Sequence, residues 1–72
     1  MYVLVYQVIE NNSIAEQSAR VYNDWRQAMN IMHSQYERKL DELERVTFES
    51  KHNVSCTIKT GGVTYDWSLL MV

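Results

Sequence analysis

A stripe of apolar side chains repeats at helical spacing through the middle of the chain. Its members are Trp25, Ala28, Met29, Met32, Tyr36, Leu40 and Leu43. Asp24 stands immediately before the stripe and Gln27 follows three positions later, which is the capping-box pattern of a helix start. We therefore predict one amphipathic helix over Asp24–Glu44, about 32 Å long at about 1.5 Å per residue. The segments at the two ends of the chain supply the apolar surface that such a helix needs.

The first segment, Tyr2–Glu10, is rich in Val, Ile and Tyr and predicts a β-strand. Its apolar side chains fall on both alternating faces. They are Tyr2, Leu4, Tyr6 and Val8 on one face, and Val3, Val5 and Ile9 on the other. A strand of this kind is usually central in a sheet covered on each side. Because one helix covers only one face, we expect the other face to be partly wet or covered by a partner.

Residues 14–22 fit two structures. Apolar and polar side chains alternate there as in an edge strand that follows a turn at Asn11-Asn12-Ser13, but Ser13 and Glu16 also form a capping box and the composition favours a helix. A helix from Ser13 to Arg45 would run roughly 50 Å at roughly 1.5 Å per residue. A strand of nine or ten residues spans only roughly 30 Å. On length, we predict a strand over Ile14–Tyr22.

The segment after the helix carries a long run of one parity. Its members are Val46, Phe48, Ser50, His52, Val54, Cys56 and Ile58. We expect a bulge or kink at residues 51–53 to divide the run into a short lead-in and a main strand, Val54–Thr60. Gly61-Gly62 predicts a hairpin turn into a last strand, Val63–Met71. The predicted fold is a single α+β domain, residues 1–72, with four antiparallel strands in ββαββ order and one helix on one face.

Size and composition narrow the classes of function. Domains of this length bury only about 60 % of their unfolded surface and often need a disulfide, a metal or self-association. Cys56 is the only cysteine, and His33 and His52 lie far apart, so we expect no disulfide, no metal and no cofactor. Self-association remains, and we expect a homodimer.

Charge and the N-terminal pattern bear on partners and location. The formal net charge is −2, so nucleic-acid binding, which needs clustered cations, is not expected. The first apolar run is too short for a signal peptide or a membrane span. With a lone thiol, we therefore expect a cytoplasmic protein without membrane contact, in the host cell if a phage encodes it.

No arrangement of catalytic residues is evident, and we expect no enzymatic activity. Asp41 and Glu42 are adjacent acids, but they lie opposite the apolar stripe on a solvated face. Cys56 and His52 share a parity but stand four residues apart across the expected kink. A nucleophilic cysteine also needs a pocket that lowers its pKa, and no such pocket is indicated.

Four aromatic side chains form the candidate partner-binding site: Tyr2, Tyr6, Tyr65 and Trp67. Tyr and Trp anchor protein interfaces because they supply a large contact area at low entropic cost. We expect these residues on the face opposite the helix, where they bind a protein partner. The alternatives are burial against a second copy, scattered exposed aromatics, or stacking on nucleic-acid bases, which requires a positive groove.

The strings from Ala19 to Ala28 (ARVYNDWRQA) and from Gly62 to Trp67 (GVTYDW) resemble a pattern in very small proteins of bacteriophages and mobile elements. There a strand turns into a helix through W-x-x-A, and the chain closes with a hairpin ending in Y-x-W. The resemblance implies a ββαββ domain encoded by a phage or prophage. Some such proteins are anti-defence inhibitors, including anti-CRISPR proteins, that bind a host protein. This chain lacks the strong acidity of DNA-mimicking inhibitors, and no functional residue carries over by position.

The leading hypothesis is a small non-enzymatic protein-binding module that occupies a host protein surface. The alternative is a nucleic-acid-associated accessory or regulatory protein. That alternative requires the basic side chains to converge on one face, since phosphate contacts need clustered charge. The residues concerned are Arg20, Arg26, Arg38, Lys51 and Lys59.

Overall fold

Five β-strands and one α-helix make up the chain in the computed structural model, which describes all residues 1–72. In chain order they are β1 (Tyr2–Glu10), β2 (Ser13–Tyr22), α1 (Trp25–Glu42), β3 (Phe48–Lys51), β4 (Ser55–Thr60) and β5 (Val63–Met71). The strands form one antiparallel sheet in the order β2-β1-β5-β4-β3, and α1 packs on one face of it. The predicted α+β class is confirmed, with one strand more than expected.

The helix begins where the capping pattern predicts. One side-chain oxygen of Asp24 accepts the backbone N–H of Arg26 at 2.8 Å and of Gln27 at 3.3 Å. These bonds satisfy two of the donors that a helix start leaves unpaired. The middle of the apolar stripe (Ala28, Met32 and Tyr36) is buried against the sheet. This helix is not apolar enough along its length to cross a membrane.

Residues 14–22 form a strand, as the length argument predicts. The turn that joins β1 to β2 places Asn11 at φ 54° and Asn12 at φ 62°. Two successive left-handed residues define the type I′ turn, whose twist matches a two-stranded hairpin, and Asn tolerates that conformation. The register then shifts at Val8/Ile9, because Val8 pairs with Glu16 and Ile9 with Ile14, so that Ala15 is an extra residue in β2.

The predicted four-strand ββαββ order is wrong by one strand. The lead-in is a separate strand, β3, which runs antiparallel to β4. Residues 51–53 therefore begin a reversal of the chain, closed by the backbone bond from the His52 N–H to the Ser55 carbonyl at 2.8 Å. The run of one parity from Val46 to Ile58 does not lie on one face of the sheet. Phe48 and Ser50 pair with Lys59 and Thr57 on the uncovered side, whereas Cys56 and Ile58 face α1.

The chain ends meet at the centre of the sheet. β1 and β5 are neighbours with Tyr2 opposite Met71, and the Val72 N–H donates to the Met1 carbonyl at 3.0 Å. Nine of the 72 residues are buried, and eight of them form one cluster between the sheet and α1. The core is thus one thin layer, and the other face of the sheet has no cover.

Candidate functional site

All four candidate aromatic residues lie on the helix-facing side of the sheet. Tyr6 pairs directly with Trp67, and Tyr2 and Tyr65 belong to the same alternating sets. Trp67 is only 1 % exposed, and the other three are partly buried against the core. The expectation that these side chains occupy the face opposite the helix is therefore wrong. Whether they contact a partner stays a prediction.

These aromatics join the helix to the sheet. The Trp67 ring lies between Tyr6, with centroids 5.0 Å apart, and Tyr36 of α1, at 5.9 Å and edge-on. Its indole N–H donates to the Gln35 side-chain oxygen at 3.2 Å. Tyr2 meets Trp25 edge-on at 5.4 Å. Edge-on and tilted pairs at such distances stabilise a core beyond the area that they bury.

A shallow recess of about 190 Å³ opens beside this cluster, between α1 and the sheet. It is lined by Tyr6, Gln35, Arg38, Lys39, Glu42 and Trp67. Burial, and then the charge of Glu16, raises the pKa of Tyr6 to about 12. The hydroxyl of Tyr6 therefore keeps its proton to a higher pH than an ordinary tyrosine does. The recess is smaller than the roughly 300–1,000 Å³ typical of small-molecule pockets.

The structure does not assemble a cysteine–histidine pair. Cys56 is fully buried, and its thiol lies 3.8 Å from the backbone carbonyl of His52 rather than from an imidazole. Burial raises the pKa of the Cys56 thiol, whereas a nucleophilic cysteine has a lowered one. The His33 Nε2 also lies against the His52 carbonyl, at 2.9 Å, which ties α1 to the β3–β4 turn. No group of three or more His, Cys, Asp and Glu side chains is placed to hold a metal.

Arg20, Lys51 and Lys59 do not share one surface. Arg20 of β2 and Lys51 of β3 lie on the helix-facing side but at opposite edges of the sheet. Lys51 is engaged by Glu37 at 2.7 Å, and this hydrogen bond raises the pKa of Lys51 and lowers that of Glu37. Lys59 lies on the other side, with its ammonium 5.4 Å from the ring of Phe48. These three cations therefore do not line one groove.

We call the uncovered side of the sheet the open face. One corner of it is apolar: Val3 lies directly between Val21 and Leu70, and Val5 lies next to Ala19. These five residues form the open-face patch. Val21 is 59 % exposed and Leu70 is 50 % exposed. Contiguous exposed apolar surface of this kind marks sites of association.

A polar row crosses the open face beside the patch. In strand order it runs Gln17, Gln7, Asp66, Thr57 and Ser50. The Thr57 hydroxyl donates to the Asp66 carboxylate at 2.9 Å. The open face therefore combines an apolar corner with a flat row of hydrogen-bonding groups, which is the make-up of an interface core and its rim.

The open-face patch is not among the predicted site residues, but the sequence contains two signals of it. The second alternating set of the first strand, which includes Val3 and Val5, already indicated a face that one helix does not cover. Leu70 breaks the polar alternation of the last strand on that same side. Comparison with protein-family models, with curated proteins and with solved structures finds no match to this chain.

Proposed function

We propose that this chain is a small non-enzymatic protein-binding module and that its open face is the contact surface. The observation that carries the proposal is the open-face patch. Val21 and Leu70 are at least half exposed on either side of Val3, in a domain that has only nine buried residues. Covering this patch removes apolar surface from water, which is the main driving force of protein association.

The shape of the surface limits the chemistry of the partner. A sheet face is broad and shallow, so it suits another folded surface better than a small molecule. The partner is a protein with an apolar projection that meets the patch and hydrogen-bonding groups that meet the row from Gln17 to Ser50. The aromatic residues contribute by holding the helix and sheet rigid, since Trp67 is in contact with both.

The biological setting belongs to the same proposal. The resemblance to small phage and mobile-element proteins supports a phage or prophage origin and a host protein in the host cytoplasm as the partner. Occupying a surface of a defence protein is one role that such a module performs without catalysis. Steric occupation requires only affinity, and neither a pocket nor a catalytic group is needed for it.

The test compares open-face variants with a matched control. The double variant Val5→Lys/Leu70→Lys places two charges on the open face, and Val54→Lys makes the same kind of change at a residue that is 51 % exposed outside it. Tagged proteins are used to capture partners from lysate of candidate host bacteria. The captured protein is then purified and its affinity is measured by calorimetry.

We expect the double variant to bind the purified partner at least tenfold more weakly, about 1.4 kcal/mol, because each lysine must be desolvated or displaced. Val54→Lys is expected to bind like the wild type. Thermal unfolding confirms that both variants are folded. Equal affinity of all three proteins, or no specific capture by the wild type, counts against the open face as the contact surface.

A further inference from the structure

The longest strand of the sheet is also its least protected. β2 pairs with β1 on one side only, and its other side is a free edge of ten residues. Every residue from Ser13 to Val21 is exposed. An edge of this length presents a row of unpaired backbone N–H and C=O groups, which is a template for another strand. The opposite edge of the sheet, β3, has only four residues.

We propose that β2 pairs with β2 of a second copy, antiparallel and about a two-fold axis at Ser18, to form a continuous ten-stranded sheet. This surface is an edge of the sheet and not its open face, so the inference does not depend on the proposed function. The side chains of β2 indicate a second copy of this chain as the partner, because the acidic and basic residues of one β2 strand can pair with those of another.

The charges select one register. Glu16 and Arg20 lie on the same side of β2, two residues before and two residues after Ser18. In an antiparallel pair centred on Ser18, each Glu16 lies directly opposite Arg20 of the other copy, so the dimer contains two such pairs. Opposite charges placed across two strands stabilise the pairing, whereas like charges destabilise it.

Neighbouring registers lack this match. Centring the pair on Glu16 or on Arg20 places two like charges face to face, and centring it on Gln17 or Ala19 leaves both charges opposite uncharged residues. On the other side of the strand, the Ser18 register places Gln17 opposite Ala19. The bulge at Ala15 bends the strand, so the regular paired segment is residues 16–20.

This geometry also organises the two open faces. A two-fold axis perpendicular to the sheet keeps both helices on one side and both open faces on the other. Ala19 and Val21, which belong to β2, bring the two open-face patches next to the axis. The dimer therefore presents one larger binding surface with two equivalent halves.

A charge-exchange series tests the register. Glu16→Arg alone and Arg20→Glu alone each place like charges opposite one another in their homodimers, and we expect each to raise the dimer dissociation constant at least tenfold. Mixing these two variants creates a heterodimer in which every pair is complementary, and we expect it to form preferentially. The double variant Glu16→Arg/Arg20→Glu restores the homodimer. Analytical ultracentrifugation over a range of concentrations measures each mass against the 8.5 kDa chain.

Matched controls carry the same charge changes elsewhere. Glu44→Arg and Arg26→Glu alter exposed residues outside β2 and are expected to dimerise like the wild type. A wild-type mass of one chain at all concentrations up to millimolar overturns the proposal. A mixture of the two single variants that shows no preference for the heterodimer also overturns it. Loss of the dimer in Val5→Lys/Leu70→Lys overturns it as well, because that result indicates dimerisation through the open face.

A second measurement locates the axis. Ser18 is the only residue that lies opposite itself in this register, so Ser18→Cys is expected to form a disulfide-linked dimer under mild oxidation. Gln17→Cys and Ala19→Cys, each opposite the other position, are expected to cross-link poorly alone and well as a mixture. The native Cys56 is fully buried and does not interfere. Efficient cross-linking of Gln17→Cys alone overturns the Ser18 register.

Discussion

Tyr6 is the residue at which the core meets the solvent. Its ring packs against Trp67, and the residue lines the recess, where the charges of Glu16 and Glu42 act on its hydroxyl. Burial and these two carboxylates all disfavour a tyrosinate, and the pKa of Tyr6 rises from 10.0 to about 12. Folding therefore keeps a proton on this hydroxyl that the unfolded chain releases more easily.

This shift predicts a loss of stability at high pH. Because the folded pKa exceeds the unfolded one, the contribution of Tyr6 is fully present below pH 10 and is lost as pH rises from 10 toward 12. We expect the free energy of unfolding of Tyr6→Phe, measured in urea, to fall less over that interval than that of the wild type. Tyr22→Phe, a change in an edge-strand tyrosine, serves as the control. An equal fall in Tyr6→Phe and the wild type contradicts the prediction.

The sequence predicts the face on which two of the four candidate aromatic residues lie. The alternation of the last strand places Tyr65 and Trp67 with Leu69, and that set is the core set in the structure. The first strand gives no such indication, because both of its faces are apolar. The pattern of apolar and polar positions along this strand therefore does not decide which face the helix covers.

The helix is the element that the sequence predicts best. Its start follows from local chemistry, because Asp24 accepts hydrogen bonds from the backbone two and three residues ahead. Its buried side follows from the helical spacing of the apolar stripe. β3 is the one strand that the sequence pattern does not predict as a separate element. The run of one parity from Val46 to Ile58 predicts a single kinked strand. The chain instead reverses after Lys51 and pairs Phe48 and Ser50 with odd-numbered residues of β4, so the two halves of the run face opposite sides of the sheet.

The cap predicts a specific loss of stability. Asp24→Ala removes the acceptor for two backbone N–H groups, and we expect it to lower the free energy of unfolding by about 1 kcal/mol. Asp24→Asn, which keeps a side-chain acceptor, is expected to retain most of that stability. Asp41→Ala removes a carboxylate from the exposed part of the same helix and should change stability much less. A similar loss for Asp24→Ala and Asp41→Ala, measured by urea unfolding, would show that the cap contributes little.

The whole molecule is organised around the pairing of its first and last strands. The order β2-β1-β5-β4-β3 places the β1–β2 hairpin beside the three-stranded meander β3–β4–β5, with β1 paired to β5. Both terminal segments were predicted as strands, but their adjacency was not. Alternation identifies a strand and its faces, whereas the choice of neighbour depends on non-local packing under α1.

The adjacent termini predict tolerance of circular permutation. A short Gly/Ser linker joins Val72 to Met1, whose backbones are already hydrogen-bonded, and new termini are opened between Gly61 and Gly62. We expect this permutant to fold with the wild-type circular dichroism spectrum, because the hairpin turn packs against nothing. Opening the same linked chain between Leu4 and Val5 divides a central strand and is expected to prevent folding. Unfolding of the first permutant, or normal folding of the second, contradicts this view of the sheet.

The position of β5 has a consequence for the order of folding. β5 follows every other element along these 72 residues, yet it lies between β1 and β4 in the sheet. Pairing β1 with β5 closes the longest loop of the fold, and contacts that close long loops are the slowest to form. We therefore expect the β1–β2 hairpin and α1 to form early and the closure of β1 against β5 to limit the folding rate.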